Sequence, residues 1–595
     1  MPIKRRINYL RKRFARRSLF HSQAVTLLWA VLMGVVGALA TLIFFQSVRW
    51  LQMLTMGEAG TIDSVVSNYS TWQTIVYPCL AGLVGGLLLS WSASIKTDTN
   101  SDYMEAVALG DGRLSIKQGV LRILSSLTVI TSGFSIGREG PMIHMGSMLS
   151  SAIGRFFFMN ARQLRLVVAC GAAGAVSAAY HTPIAGALFV AEIVVGSMSM
   201  AIVGPLLVAA MSAHLTTRFF GSHFLLYEID IEISLTTELI ICAIIIGVFA
   251  GVLSPLFLRT LDWCKKALKL TPLPLAARMG IAGAFVGIFL LYDPRLAGNG
   301  DSIVSTFIHG VDWTWQFLAI FLLLKVAVTL ISVGSGAVGG VITPIMFIGA
   351  AVALLILKTA LLIFPVLVPY SPVFVILGMG AFLSAASSAP LMAIIMMIEM
   401  SYNQSIVVPV VLACVIASFL ARQINGLVMF NVTTNREEDI RLRHRLGNVR
   451  IEQLVNKNPE NTILSDKLVG EAIDMFTELS VRYLYVINDD NEFMGVLAHR
   501  DITRGLLGAV KPDEPIPAHL ISRTYLEPLR LGMTLDEVQD EFVTYNGERL
   551  PVLDFSDPPH LLGVVYKSDV LRRYSEIKKS IDKTSEVKMN PFIRN

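Results

Sequence analysis

Gly137-Arg138-Glu139-Gly140-Pro141 places an acid inside the interrupted apolar run 136–153. An ionisable residue at membrane depth is costly and marks function by default. The residues around it say what kind. Proline lacks an N–H and presets φ, which suits the first turn of a helix. Glycine lets the backbone bend and approach a ligand closely. The segment therefore predicts a loop entering a helix N-terminus, whose first N–H groups have no intrahelical partner and carry partial positive charge. Such an end binds anions. A carboxylate has the charge of chloride and much the same appetite for N–H donors, so Glu139 can occupy an anion site itself. Protonated, it should swing away and admit an anion.

The motif occurs twice. Ser-Gly-x3-Gly-x3-Pro stands at Ser132-Gly133, Gly137 and Pro141, and again 203 residues later at Ser335-Gly336, Gly340 and Pro344. A basic residue precedes each serine by ten positions, Arg122 and Lys325. Further on, Ser177-Ala178-Ala179, Pro183 and Glu192 match Ser384-Ala385-Ala386, Pro390 and Glu399 with a shift of 207. Matched features in one order mean duplication, and transporter cores are commonly two such halves with the substrate where they meet. Amides at membrane depth cannot turn to water, so two N-termini converging at mid-bilayer form an anion site. One terminus contributes ~0.3–2 kcal/mol to a nearby charge, whereas dehydrating an ion costs on the order of several kcal/mol. Direct N–H bonds and hydroxyls must share the load. Packing glycines and helix kinks are the bland alternative; they account for a single motif better than for a matched pair.

These motifs need a membrane around them, and the composition supplies one. Of 595 residues, 54% are hydrophobic and 16% charged, against about 25% charged in soluble domains, and the mean hydropathy is +0.61. The runs 24–48, 239–258, 317–333 and 406–420 are long enough, or nearly so, to cross ~30 Å of hydrocarbon. Runs such as 136–153 and 341–351 are interrupted by Gly and Pro, as in transporter and channel cores. Residues 1–20 are a basic arm (Lys4, Arg5, Arg6, Arg11, Lys12, Arg13, Arg16 and Arg17) directly before the first span. It reads as a cytoplasmic positive-inside anchor, neither a nucleic-acid arm nor a cleaved signal. The membrane region is 21–432, with halves of about 21–225 and 226–432, and a charged linker follows at 433–450.

The polar remainder is also repeated. Gly495-Val496-Leu497-Ala498-His499-Arg500-Asp501-Ile502 is answered 68 residues later by Gly563-Val564-Val565-Tyr566-Lys567-Ser568-Asp569-Val570. Each copy predicts a helix (468–479, 534–545), a strand (483–487, 550–553), a turn, a second strand and an Asp opening a helix. The cysteines Cys79, Cys170, Cys242, Cys264 and Cys414 lie in or beside apolar segments without CxxC or CxxH spacing and read as packing residues. A Ser-His-Asp set, a P-loop and zinc spacing are all missing from the sequence, so neither soluble catalysis nor a required metal or cofactor is expected.

Gly137-Arg138-Glu139-Gly140-Pro141 resembles the GREGP signature of the CLC chloride channels and transporters. Gly340-Val341-Ile342-Thr343-Pro344 resembles the family's GxFxP segment, with Ile342 where Phe is usual. The Ser-Ala-Ala-x3-Pro segments also fit, and the C-terminal repeat resembles a pair of CBS domains, 451–510 and 511–580, before a tail at 581–595. The resemblance implies an all-α polytopic membrane protein with two inverted repeats and broken helices, followed by an α/β CBS pair. It implies a homodimer with one pathway per subunit, chloride or a similar anion as cargo, and protons too in exchangers. Glu139 takes the position of the external gate. Gly137, Arg138, Gly140, Gly340, Val341 and Ile342 fall at anion-binding positions. Ser568-Asp569 fits the ribose-contacting Ser/Thr-Asp pattern of CBS domains, while Asp501 lacks the preceding hydroxyl. Adenine-nucleotide binding and a dimerisation platform whose Asp residues cap helices both stay open.

Three departures bear on mechanism. Ile193 stands where family exchangers usually carry an inner proton-relay glutamate, and the adjacent Glu192 points about 100° away on an α-helix. Phe430 aligns with the tyrosine whose hydroxyl usually meets the central anion. The GSGIP segment is replaced by Thr97-Asp98-Thr99-Asn100-Ser101-Asp102-Tyr103-Met104-Glu105, as in the bacterial ClcB-like branch. Thr99 is the expected substitute hydroxyl, and Ser101 or Asp102 the cap of the next helix. Arg122 and Lys325 bias the pathway towards anions or neutralise helix ends. His144 and His181 read as hydrogen-bonded packing residues, and Glu399 as a group with a structural partner. The sequence thus predicts transmembrane transport of chloride or a small anion past a glutamate gate, channel-like or weakly proton-coupled. A proton-coupled exchanger is the alternative, and a CBS-regulated cation transporter or an anchored nucleotide sensor is more remote. The expected setting is a bacterial inner membrane, crossed many times, with both termini cytoplasmic.

Overall fold

Two units divide the chain, residues 1–433 and 434–595. Within them the computed structural model describes residues 23–97, 99–220, 227, 229, 234–309, 313–424, 429, 446, 449–457, 459–507, 511–522, 526–545 and 547–589. The basic arm, Phe430 and most of the linker at 433–450 lie outside the described residues.

The described part of the first unit is helical. Its first half runs α1 (Gln23–Met56), α2 (Ile62–Ser67), α3 (Thr71–Ser94), α4 (Tyr103–Ala108), α5 (Ile116–Thr131), α6 (Glu139–Phe156), α7 (Ala161–Tyr180), α8 (Pro183–Phe189) leading into a π-helix (Val190–Val195), and α9 (Met200–Phe219). The second half runs α10 (Thr237–Lys269), α11 (Leu275–Tyr292), α12 (Asp301–Ile308), α13 (Trp315–Gly334), α14 (Ile342–Ala360), α15 (Ser371–Ser387), α16 (Pro390–Ser401) and α17 (Val407–Gln423). Apart from α2, the helices match in order, α1 with α10 through α9 with α17. The match extends to the ends of elements: His181 after α7 and Ser388 after α15 both take left-handed backbone, with φ of 58° and 55°. Ten helices among the described residues are long and apolar enough to cross a membrane.

Local sequence explains where these helices start. Asn160 accepts from Gln163 N–H at 2.9 Å and Asp102 from Met104 N–H at 2.8 Å, each satisfying an amide at a helix start. Prolines open α8 and α16, where no amide partner is needed. Small residues then let helices approach closely. α3 and α11 meet through Gly82 against the Met279 carbonyl and Gly283 against the Pro78 carbonyl, contacts that leave no room for a Cβ. Large apolar side chains such as Leu28, Trp50 and Phe219 remain exposed on the outer faces, as lipid contact requires. One sequence-based expectation fails: Glu192 and Ile193 lie in a π-helix, not an α-helix. Such a segment turns less per residue than 100°, and π-bulges recur at functional sites.

The second unit contains two sheets of matching design. In the first, β1 (Thr462–Leu464) pairs parallel with β2 (Tyr483–Ile487), which pairs antiparallel with β3 (Phe493–Ala498), and β4 (Ile521–Ser522) closes the edge. In the second, β5 (Leu529–Arg530) pairs parallel with β6 (Arg549–Leu553), which pairs antiparallel with β7 (Leu561–Tyr566). Both hairpins slip register at the same point, Val486/Ile487 and Val552/Leu553. Both place a glycine opposite the slip, Gly495 at φ 148° and Gly563 at φ 145°, a backbone that side chains rarely adopt. α18 (Val469–Leu479) and α20 (Leu535–Thr544) precede the hairpins, while α19 (His499–Leu507) and α21 (Lys567–Met589) follow them.

Candidate anion site

Gly137 and Gly340 bond to each other. Gly137 N–H donates to the Gly340 carbonyl at 2.7 Å, and Gly340 N–H returns a bond to the Gly137 carbonyl at 2.8 Å, as an antiparallel bridge. This pair brings the N-termini of α6 and α14 together, the arrangement two oppositely directed copies of one motif produce. Hydroxyl contacts support the junction: Ser135 lies 2.8 Å from Thr329 across the halves, and Ser126 donates to the Val338 carbonyl at 2.7 Å.

Glu139 is the first residue of α6 and is fully buried. Its carboxylate crosses to the opposite helix N-terminus. Oε1 accepts from Thr343 N–H at 2.9 Å and from Thr343 Oγ1 at 2.7 Å. Tyr180 OH lies 3.1 Å from the same Thr343 hydroxyl. Oε2 is buried without a hydrogen-bond partner among the described residues. The glycines make this possible. A Cβ on Gly137 would collide with the Glu139 carboxylate, and one on Gly340 would come within 2.8 Å of its Cδ. On Gly140 a Cβ would sit 3.1 Å from Gly340 N.

Arg138, the residue beside Glu139, is engaged elsewhere. Its guanidinium meets Asp301 at 2.9 Å and lies 4.8 Å from the Phe45 ring centroid. Tyr227 OH and Asn299 Nδ2 also donate to Asp301, at 3.0 and 2.8 Å. Glu139 is therefore not a structural acid satisfied by Arg138. Arg138, Glu139, Met142, Ala179, Tyr180, Asn299, Asp301 and Thr343 line one small cavity. Val341 caps α14 and the buried Ile342 opens it.

Other predicted residues fall around this centre. Thr99 lies in the bend before α4, its carbonyl accepting from Thr97 at 3.2 Å, and it does not line that cavity. Asp102 caps α4. Lys325 is fully buried and donates to the carbonyls of Leu296 and Gly298, each at 2.8 Å, so it meets the end of the short 3-10 helix Pro294–Leu296 and does not line the cavity. Arg122 donates to the Ser101 carbonyl at 2.6 Å. Glu192 accepts from Met392 N–H at 2.9 Å, at the start of α16. Glu399 accepts from Ile184 and Ala185 N–H at 2.9 and 2.8 Å, at the start of α8. The two halves thus cap each other's helices. Ile193 is buried. His144 Nε2 is buried without a hydrogen-bond partner among the described residues, and the His181 ring packs 6.2 Å from that of His214. In the second unit Asp569 pairs with Arg572 at 2.6 Å and Asp501 with Arg500 at 3.9 Å. Ser568 precedes Asp569 in the first turn of α21.

Thr343, Tyr180, Asn299, Asp301 and Tyr227 were absent from the sequence-based site. Only Thr343 carried a signal: it occupies, in the second motif, the place Gly140 holds in the first.

A family model described as voltage gated chloride channel matches residues 80–422, and one described as CBS domain matches 451–508. Over 420 residues the chain is 38% identical to a putative ClcB-like chloride channel protein of Ralstonia nicotianae, covering 69% of this chain and 98% of that one. The voltage-gated ClC-type chloride channel ClcB of Escherichia coli is 34% identical over 407 residues, covering 67% and 96%. A slow cyanobacterial Cl-/H+ antiporter shares the fold with a TM-score of 0.60 at 22% identity, over 69% of this chain and 97% of that one. A eukaryotic CLC transporter does so with a TM-score of 0.56 at 16% identity, over 91% and 97%. The paired glycine motifs, the acid they hold and these likenesses agree: the chain belongs to the CLC family of chloride channels and transporters, multi-pass membrane proteins that are not enzymes, and it carries a CBS domain after the membrane region.

Proposed function

We propose that this protein conducts chloride or a similar small anion through a pathway whose gate is the Glu139 carboxylate, in a channel-like or weakly proton-coupled manner. One observation carries the reading: Glu139 occupies donors at the N-terminus of the opposite half's helix, where an anion would otherwise bind. Gly137, Gly140, Gly340, Val341 and Ile342 provide the backbone of that site, and Arg138 holds the cavity wall through Asp301. Thr99 is the hydroxyl proposed further along the path, where Phe430 offers none. Weak coupling follows from Ile193, which cannot carry a proton.

Proton-coupled exchange is the second reading. The structurally similar cyanobacterial protein is described as a Cl-/H+ antiporter, and another neighbour as a fluoride/proton antiporter. A cation pathway fits poorly, because the site offers helix N-termini, where cations are disfavoured. The protein is proposed to act as a homodimer in a bacterial inner membrane with both termini cytoplasmic. Residues 511–580 are proposed as a second CBS domain, with Asp501, Ser568 and Asp569 as contacts for an adenine nucleotide.

Reconstituted protein under an imposed chloride gradient tests the reading. Chloride flux that falls as pH rises is expected, and Glu139→Gln should be open at every pH. A Glu139→Gln variant that keeps the wild-type pH profile removes Glu139 as the gate. Uphill proton movement in the same vesicles selects exchange; flux without it selects the channel.

A further inference from the structure

We infer that Thr343 supplies the side-chain donor for the anion that replaces Glu139, and that Tyr180 holds that donor ready. The inference deepens the gating reading and rests on it. A carboxylate has no proton to give, so Thr343 Oγ1 must donate to Glu139 Oε1 across 2.7 Å. The Thr343 hydroxyl proton is then spent, so in its contact with the Tyr180 OH, 3.1 Å away, tyrosine is the donor. The Tyr180 OH also lies close to the Glu139 carboxylate itself, and the chain runs from Tyr180 through Thr343 to Glu139. All three residues are buried, at 7%, 2% and 0% exposure, so no bulk water competes for these bonds. When the carboxylate leaves, its two donors, Thr343 N–H and O–H, remain aimed at the vacated place. A chloride arriving there meets the same pair.

Among the described residues the other cavity-lining polar side chains are committed. Arg138 and Asp301 line the same cavity but are tied to each other at 2.9 Å, with Tyr227 and Asn299 also committed to Asp301. Tyr103 and Tyr227 are further ionisable groups electrostatically close to Glu139. The corresponding position in the first motif is Gly140, which has no side chain to offer. Both Thr343 bonds fall on Oε1, while Oε2 has no hydrogen-bond partner among the described residues. Thr343 is thus a specificity-determining residue of the anion site, and Tyr180 a positioning residue acting through it.

The test uses the full-length protein and two backgrounds. In Glu139→Gln, with the plug neutralised, Thr343→Val keeps the shape and removes the hydroxyl. Chloride affinity by titration calorimetry should fall roughly 10-fold, the order expected for one hydrogen bond to a charged group. Thr343→Ser should recover most of it, and Tyr180→Phe should cost about 2–3-fold by loosening the donor. With Glu139 intact, Thr343→Val removes a donor from the seated carboxylate. Less acid then suffices to release it, and the pH profile of flux should move to higher pH. A purely structural threonine would lower protein yield and flux together without moving that profile. Unchanged chloride affinity in folded Glu139→Gln/Thr343→Val, or in Glu139→Gln/Tyr180→Phe if the valine variant does not fold, overturns the inference. If Glu139→Gln alone keeps its pH dependence, the gating reading fails as well, so the two failures are separable.

Discussion

The segments at Gly137–Pro141 and Gly340–Pro344 share a backbone and divide the chemistry. Each turns through glycine, bonds to the other at Gly137 and Gly340, and opens a helix with its amides facing the junction. At the matched positions that follow, the first has Glu139 and Gly140 where the second has Ile342 and Thr343. One half therefore carries the acid and the other the hydroxyl that bonds to it. Duplication provided two convergent helix ends, which a single segment cannot make. Divergence then made the site one-sided, and on the proposed reading a single acid controls it. The basic partners upstream diverged too: Lys325 is sealed among carbonyls, while Arg122 stays partly exposed.

The largest effect that can break this comparison comes from the bridge itself. Gly137→Ala puts a methyl into the space of the Glu139 carboxylate. Eviction of the plug should raise anion flux at alkaline pH by roughly 10-fold or more, the scale of losing hydrogen bonds to a charged group. Gly340→Ala approaches the Glu139 Cδ, Oε2 and Cγ at 2.8, 3.0 and 3.1 Å, less closely than Gly137→Ala, and should act in the same direction but less. Equal and unaltered flux in both variants would mean that the two glycines do not set the gate.

A smaller effect separates the basic pair. Lys325→Met strands the Leu296 and Gly298 carbonyls in a buried place. It should cost about 2–6 kcal/mol, at ~1–3 kcal/mol for each unsatisfied group. Arg122→Met gives up one bond on a partly exposed side chain and should cost about 1 kcal/mol. Thermal unfolding in detergent measures both; a reversed order would mean that Arg122 bears the structural charge. The smallest effect belongs to the reciprocal caps. Glu399→Gln weakens the bonds to Ile184 and Ala185 of α8, and Glu192→Gln those to Met392 and Leu391 of α16. Each should cost ~0.5–2 kcal/mol, the range for a helix cap, read by the same unfolding measurement.

Much of this was legible in sequence because it is periodic or local. The register of the two glycine motifs pointed to their pairing, since a shift of 203 with a basic residue ten positions upstream survives in the text of the chain. The two hairpins of the second unit could be read the same way, from Gly495 and Gly563. The polar partners could not. Thr343 meets Glu139 across 204 residues and Tyr180 across 163. Threonine and tyrosine in apolar runs look like ordinary helix residues until their hydroxyls are placed. Arg138 shows the same limit: only the structure assigns it Asp301, the first residue of α12, as its partner.

By itself, the sequence determined that this is a duplicated membrane protein with helix ends suited to an anion and one acid among them. Hydropathy, proline, glycine and spacing are properties of short segments, and they act before any tertiary contact forms. Only the tertiary structure decided which amides and hydroxyls face that acid, and which oxygen they hold. Hydrogen bonding requires donor and acceptor within about 3 Å in a suitable direction. For residues some two hundred positions apart, that geometry is set by the packing of all the helices between them.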